Sequence, residues 1–174
     1  MPKLKIPMMR TWLIATALLL PGAASAEARF VQTPYEEQSA VFDFYFDDPQ
    51  KINPALYWVR SLINPLMEEP YGFAPEFLNL VVVIHGTEIV TLVRHNYEKY
   101  EEAVERMRYY AQLGVKFKVC GLAAQDYGYT AEDFHDFVEM VPSAFPELVH
   151  WQSKGYALIS PQVLEKKYAV EDIR

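Results

Sequence analysis

The chain has a single cysteine among its 174 residues, and its neighbours decide what a thiol there can do. Val115, Phe117 and Val119 alternate with Lys116 and Lys118, the period-2 pattern of a strand. Gly114, directly after a long helical pattern, reads as the residue that closes the helix and turns the chain into that strand. Cys120 therefore stands at the strand's carboxyl end. Gly121 permits a tight turn, and Leu122-Ala123-Ala124-Gln125 reads as the opening turn of another helix. A sulfur placed there feels the partial positive charge of a helix N-terminus, and alternation puts Lys116 and Lys118 on its own face. Both features favour the thiolate, which is the reactive form. Against this stands the commonest role of a free cysteine, a small buried hydrophobe.

His85-Gly86 is the second place where chemistry is legible. It follows Leu80-Val81-Val82-Val83-Ile84, an uninterrupted apolar run of the kind buried on both faces of a parallel sheet. A histidine at the carboxyl end of such a strand, followed by a glycine turn, falls where open α/β sheets place ligands. The plain alternative is a capping or hydrogen-bonded histidine. Gly86 and Gly121, with the backbone N–H groups that follow them, are the candidates for holding substrate oxyanions. Asp47-Asp48 and Glu101-Glu102 read more simply as a turn and a solvated helix face. GxSxG, Walker A and GxGxxG signatures are absent. A metal site built from His85, Cys120 and another histidine ranks last, since no C-x-x-C or H-x-x-x-H pair exists, and neither metal nor cofactor is expected.

The elements that must hold these residues alternate. Val41, Phe42, Phe44, Tyr45 and Phe46 predict an aromatic strand closed by Asp47-Asp48-Pro49. Asn53-Pro54 predicts a helix start, with Leu56, Val59, Leu62 and Ile63 at helical spacing and an end or kink near Asn64-Pro65. Pro65, Pro70 and Pro75 with Gly72 make an irregular loop. From Tyr97 to Leu113 the positions Tyr100, Ala103, Val104, Met107, Tyr110 and Ala111 mark a helix, with Glu102/Arg106 and Glu105/Arg108 paired outside. After the Cys120 strand, Thr130 caps a short helix through Phe137 that leaves His135 facing solvent. Val138-Glu139-Met140-Val141 is a fourth strand. Ser143 and Pro146 then open a helix with an apolar face of Leu148, Val149 and Trp151, ended by Gly155. Tyr156-Ala157-Leu158-Ile159 is the fifth strand, stopped by Pro161. This order, β-α-β-α-β-α-β-α-β, predicts a single-domain α/β fold: a mainly parallel five-stranded sheet with helices on both faces. His85 and Cys120 are then expected on one edge of that sheet, on neighbouring strands.

The first 26 residues read as an address rather than as fold. Lys3, Lys5 and Arg10 are a basic region, Thr11 to Leu20 is apolar, and Ala24-Ser25-Ala26 is an A-x-A cleavage site, the pattern of a secretory signal peptide. The apolar run falls short of the roughly 20 residues a spanning helix needs, so no stable membrane insertion is expected. The mature chain would comprise an extended lead-in at 27–39, a domain at 40–161 and a charged tail at 162–174. Its formal charge, −7 with the leader, becomes about −10 once three basic residues are removed. Such a surface repels phosphate backbones and anionic membranes, so nucleic acid is not an expected partner. Export implies an oxidising compartment, with the periplasm expected, where a solitary cysteine is either buried or used in exchange with another molecule.

Four pieces in order resemble the DsrE/DsrF-like family: Val82-Val83-Ile84-His85-Gly86; Leu113-Gly114-Val115 leading into Phe117-Lys118-Val119-Cys120-Gly121; Val141-Pro142-Ser143-Ala144; and Gln152 with Gly155-Tyr156-Ala157-Leu158-Ile159. The resemblance runs from about residue 40 to about residue 161. It implies a flavodoxin-like α/β fold, assembly into trimers or hexamers, and a sulfur-relay role in which Cys120 carries sulfur as a persulfide with His85 in the same pocket. The expectation is a periplasmic sulfur carrier or sulfurtransferase that exchanges sulfur with a small molecule or a protein thiol. The alternative is a non-catalytic oligomeric binding module in which Cys120 is structural.

Overall fold

In the computed structural model, which describes residues 27–174, the apolar run foreseen as a doubly buried strand is the middle of the sheet. It forms β2 (Leu78–Ile84), flanked by β1 (Gln38–Phe44) and β3 (Lys116–Cys120). The edges are β4 (Val138–Val141) and β5 (Ala157–Ile159), in the order β4-β3-β2-β1-β5, and every pairing is parallel. The sheet therefore matches the α/β class read from the alternation of elements. The signal peptide expected at 1–26 lies outside the described residues. Residues 27–33 are exposed and carry no regular secondary structure; residues 34–174 form a compact unit of their own. No helix among the described residues is long and apolar enough to cross a membrane.

Alternation along the strands feeds two cores. On one side Phe42, Phe44, Leu80, Val82, Ile84, Phe117 and Val119 meet α1 (Ile52–Met67) and α2 (Tyr97–Gln112). Phe42, Phe44 and Phe117 are fully buried there, and each stabilises the fold by about 1.5–3 kcal/mol through apolar surface removed from water. On the other side Val41, Val81, Val83 and Cys120 meet α4 (Ala144–Ser153) through Ala144, Leu148 and Trp151. The short α3 (Gly121–Asp126) follows β3 directly, and α5 (Val170–Ile173) lies exposed in the tail. Gly114, at φ +92°, turns α2 into β3 in the left-handed conformation its place after the helix foretold.

Four local expectations give way to tertiary structure. Helix α1 starts at Ile52 rather than at Asn53-Pro54, because Asp48 already accepts the Gln50 N–H at 2.8 Å and starts a 3-10 turn at Pro49. Pro54 falls in the first helical turn, where a missing N–H costs nothing. Pro65 lies inside the last turn of the helix, which ends at Met67, close to the end expected near Asn64-Pro65. The helix expected from Thr130 to Phe137 shrinks to a 3-10 turn, Ala131–Asp133, because the following residues run extended against the segment after β2. Phe134 bridges Val93, and the His135 N–H donates to the Leu92 carbonyl at 3.2 Å. His135 is consequently buried, against the expectation that it faces solvent. Its ring stacks on Phe137, its Nε2 has no hydrogen-bond partner among the described residues, and burial followed by the charge of Arg108 depresses its pKa. Finally, Val149 is 61% exposed, since the i, i+4, i+7 stripe of α4 is Ala144, Leu148 and Trp151.

Candidate functional site

Register brings the chemistry-bearing residues together. Phe44 pairs with Ile84 and Ile84 with Val119, so one step further Tyr45, His85 and Cys120 stand level at the carboxyl edge of three adjacent strands. Alternation puts Asp43, His85 and Cys120 on the α4 side of the sheet, the side of Val41, Val81 and Val83. His85 and Cys120 thus occupy neighbouring strand ends, as expected.

His85 is held from three directions. Its Nε2 lies 2.7 Å from Asp43 Oδ1, and the Ser160 hydroxyl donates to the other oxygen of Asp43 at 3.3 Å. Tyr45 stacks on the imidazole at 4.9 Å between centroids, and Phe145, in the first turn of α4, meets it edge-on at 5.7 Å. A carboxylate only accepts, so Nε2 carries the ring's proton and Nδ1 is the position left to gain or give one. Asp43 is absent from the residues expected at the site. A lone carboxylate inside the aromatic strand Val41-Phe42-Asp43-Phe44 is the signal that could have pointed to it.

Beside this pair lies an open cleft of about 470 Å³, lined by residues that include Tyr45, Asp47, His85, Gly86, Asp126 and Tyr127. Cys120 and Gly121 do not line it. The link is Ala123, which lines the cleft and whose N–H points to Cys120 Sγ at 3.5 Å. Cys120 is thereby the N-cap of α3, and only 5% of its surface is exposed. Gly121 serves close approach: a Cβ there would fall 2.9 Å from the Val141 carbonyl oxygen.

Of the two lysines expected to act on the thiol, Lys116 is exposed with its ammonium over the Trp151 ring, and Lys118 is already engaged. Lys118 Nζ lies 2.6 Å from Glu139 Oε2 and 3.4 Å from Glu147 Oε1, and Glu147 also accepts from Trp151 Nε1 at 2.7 Å. Burial pulls the Lys118 pKa down, but the hydrogen bond and charges of Glu139 and Glu147 outweigh it and leave it above its ordinary value.

Glu88 is the residue that sequence reasoning missed most clearly. It is fully buried, and its carboxylate accepts from the Gly86 N–H at 2.9 Å and the Phe46 N–H at 3.0 Å. The Thr87 N–H is taken by the Phe46 carbonyl at 2.9 Å. The Gly86 and Thr87 N–H groups of the turn after β2, two of the expected oxyanion donors, are therefore both engaged within the protein. Burial raises the Glu88 pKa, opposed by the backbone hydrogen bonds and the charge of His85. The available signal was that Glu88 is the sole acidic or basic residue between Leu78 and Val93 other than His85.

A family model and a solved structure place this architecture among known proteins. A family model described as the DsrE/DsrF-like family matches residues 40–161. No curated protein matches the chain. Among solved structures, a protein of unknown function, MTH1491 from Methanobacterium thermoautotrophicum, superposes with a TM-score of 0.57 at 22% identity, covering 71% of this chain and 99% of that one. That likeness supports the fold.

Proposed function

Since the chain belongs to the DsrE/DsrF-like family, as the match over residues 40–161 shows, we propose that it is a sulfur-relay protein that carries sulfane sulfur on Cys120. The observation that carries this reading is the placement of Cys120. Its sulfur sits at the end of β3, capped by the Ala123 N–H and level with a histidine already paired to a carboxylate. In the transfer step the Cys120 thiolate attacks the outer sulfur of a donor persulfide R–S–SH. A new S–S bond forms at Cys120 as the donor's S–S bond breaks, and the donor leaves as the thiolate R–S⁻. Delivery to an acceptor thiol is the same exchange in reverse. His85 moves the proton in both directions through Nδ1, with Asp43 fixing the ring. The chain has no second cysteine, so the persulfide is released to another molecule rather than resolved internally.

A second reading has its own observation. Cys120 is packed among Val41, Val81, Val83, Ala144, Leu148 and Trp151, the surroundings of an inert core thiol. In that case the protein is a binding module that uses the cleft. Intact mass measurement after exposure to a persulfide donor, with and without reductant and beside Cys120→Ala, separates the two. A reductant-sensitive gain of one sulfur, absent from the variant, is the expected result. An unmodified Cys120 that also resists a small alkylating reagent in the folded protein refutes the carrier. The same spectrum of protein recovered from the periplasm tests export through loss of residues 1–26, and its native mass tests assembly into trimers or hexamers.

A further inference from the structure

Backbone N–H groups that converge at a strand-to-turn junction form a natural oxyanion seat. Here the seat is built and filled from within. The N–H groups of Phe46, after β1, and Gly86, after β2, converge on one spot, and each meets one oxygen of Glu88. The approach is so close that a Cβ at Gly86 would lie 2.5 Å from Phe46 N and 2.5 Å from Glu88 Oε2. Phe46 and Gly86 both line the cleft beside His85, whereas Glu88 is fully buried and does not, so the filled seat lies directly behind the cleft wall. The rest of the lining carries more acid than base: Asp47 and Asp126 contribute carboxylates, Tyr45 and Tyr127 contribute exposed rings, His85 contributes an imidazole, and among the described residues no lysine or arginine lines it. Asp47 is paired with Lys51 at 2.6 Å, and Lys118 is committed to Glu139 and Glu147.

We propose that Glu88 is a specificity-determining residue: its carboxylate is a resident anion in the oxyanion seat, so the cleft refuses sulfur oxyanions and takes sulfur from a neutral or cationic persulfide. The seat stands on geometry alone; the nature of the donor rests on the sulfur-transfer reading above. Aromatic faces beside carboxylates suit an ammonium-bearing carrier by cation–π and charge attraction. Thiosulfate, with two negative charges, finds the Gly86 and Phe46 N–H groups taken and meets the Asp126 carboxylate and the Lys51-paired Asp47 at the cleft.

The test is a titration of the full chain and of Glu88→Ala with sodium thiosulfate and sodium acetate against sodium chloride at equal ionic strength, following the Gly86 and Phe46 amides by NMR. The unmodified chain is expected to show no saturable response. Glu88→Ala is expected to bind both anions saturably at those amides, with half-saturation at least tenfold below any response of the unmodified chain, and the anions should restore part of its lost melting temperature. A merely structural role for Glu88 lowers stability without creating anion binding. Saturable thiosulfate binding at those amides in the unmodified chain overturns the proposal, as does a folded Glu88→Ala that binds neither anion. If Glu88→Ala does not fold, the titration of the unmodified chain decides. In parallel, Cys120 of the unmodified chain is offered thiosulfate or the persulfide of cysteamine. The cationic donor is expected to load it at least tenfold faster, and equal rates overturn the proposal. Loading by neither donor refutes the sulfur-transfer reading instead, and the amide titration still decides the seat.

Discussion

Lys118→Met separates two roles for the cation that shares a face of β3 with Cys120. The ammonium bridges Glu139 and Glu147, and the two contacts differ in worth. Glu139 has 62% of its side chain exposed, so its pair contributes only what surface pairs do, about 0–1 kcal/mol. Glu147 is 17% exposed, and loss of its cation costs more, yet less than the roughly 3–5 kcal/mol of a fully stranded buried charge, because Trp151 Nε1 still donates to it. Methionine keeps an apolar stem of similar length while removing the ammonium, which lies 5.9 Å from the Trp151 ring centroid. The expected loss is about 2 kcal/mol, or about 4–8 °C in melting temperature for a chain of this size. The pH profile of Cys120 alkylation should keep its position, because two carboxylates already neutralise the one ammonium. Urea denaturation measures the first quantity, and alkylation rates read by mass across pH measure the second. A stability loss below about 0.5 kcal/mol would show that the bridge is idle. Displacement of the alkylation profile to higher pH would show that Lys118 acts on the thiol after all, and either result refutes this account.

Two further perturbations test the surroundings of the site. His135, whose pKa burial depresses below its ordinary value of 6.5, contributes stability that is fully present above about pH 6.5 and lost as the pH falls through its lower folded value. The groups facing it are Tyr97, Arg94, Glu105, Arg108 and Asp136, and the fall in urea midpoint from pH 8 to pH 5 should be smaller in His135→Phe; an undiminished fall would assign the effect to other groups. Gly86→Ala would drive a Cβ to 2.5 Å from Phe46 N and 2.6 Å from Phe46 O, both backbone, and should cost about 3 kcal/mol or more, whereas Gly114→Ala, strained at φ +92° but in open space, should cost about 1 kcal/mol. Equal urea midpoints for the two variants would refute the close-approach argument.

The elements with strong local signals are legible in the amino-acid sequence itself. Leu78–Ile84 is apolar at nearly every position, so only a doubly buried strand suits it, and the alternation of strands with helical patterns leaves a parallel sheet as the way to bury both faces. Gly114 and Cys120 declare their places by the helix before one and the helix after the other. From these the shared carboxyl edge of His85 and Cys120 follows, because parallel strands end on one side.

What the chain order does not contain is lateral register and the partners met through it. Asp43 reaches His85 across 42 positions, Glu88 reaches Phe46 across 42, and Ser160 reaches Asp43 across 117. Composition singles out Asp43 and Glu88, but nothing in the chain order says which residues they meet. The same cause explains the errors at short range: His135 is buried because Phe134 bridges Val93, and Lys118 spends its charge on carboxylates from β4 and α4. Local pattern determines which residues form strands and which face they show, since sterics and hydrophobic periodicity act within a few residues. Only the folded sheet decides which charges meet, because ion pairs and backbone hydrogen bonds depend on distance in space, and that distance is set by strand order and register.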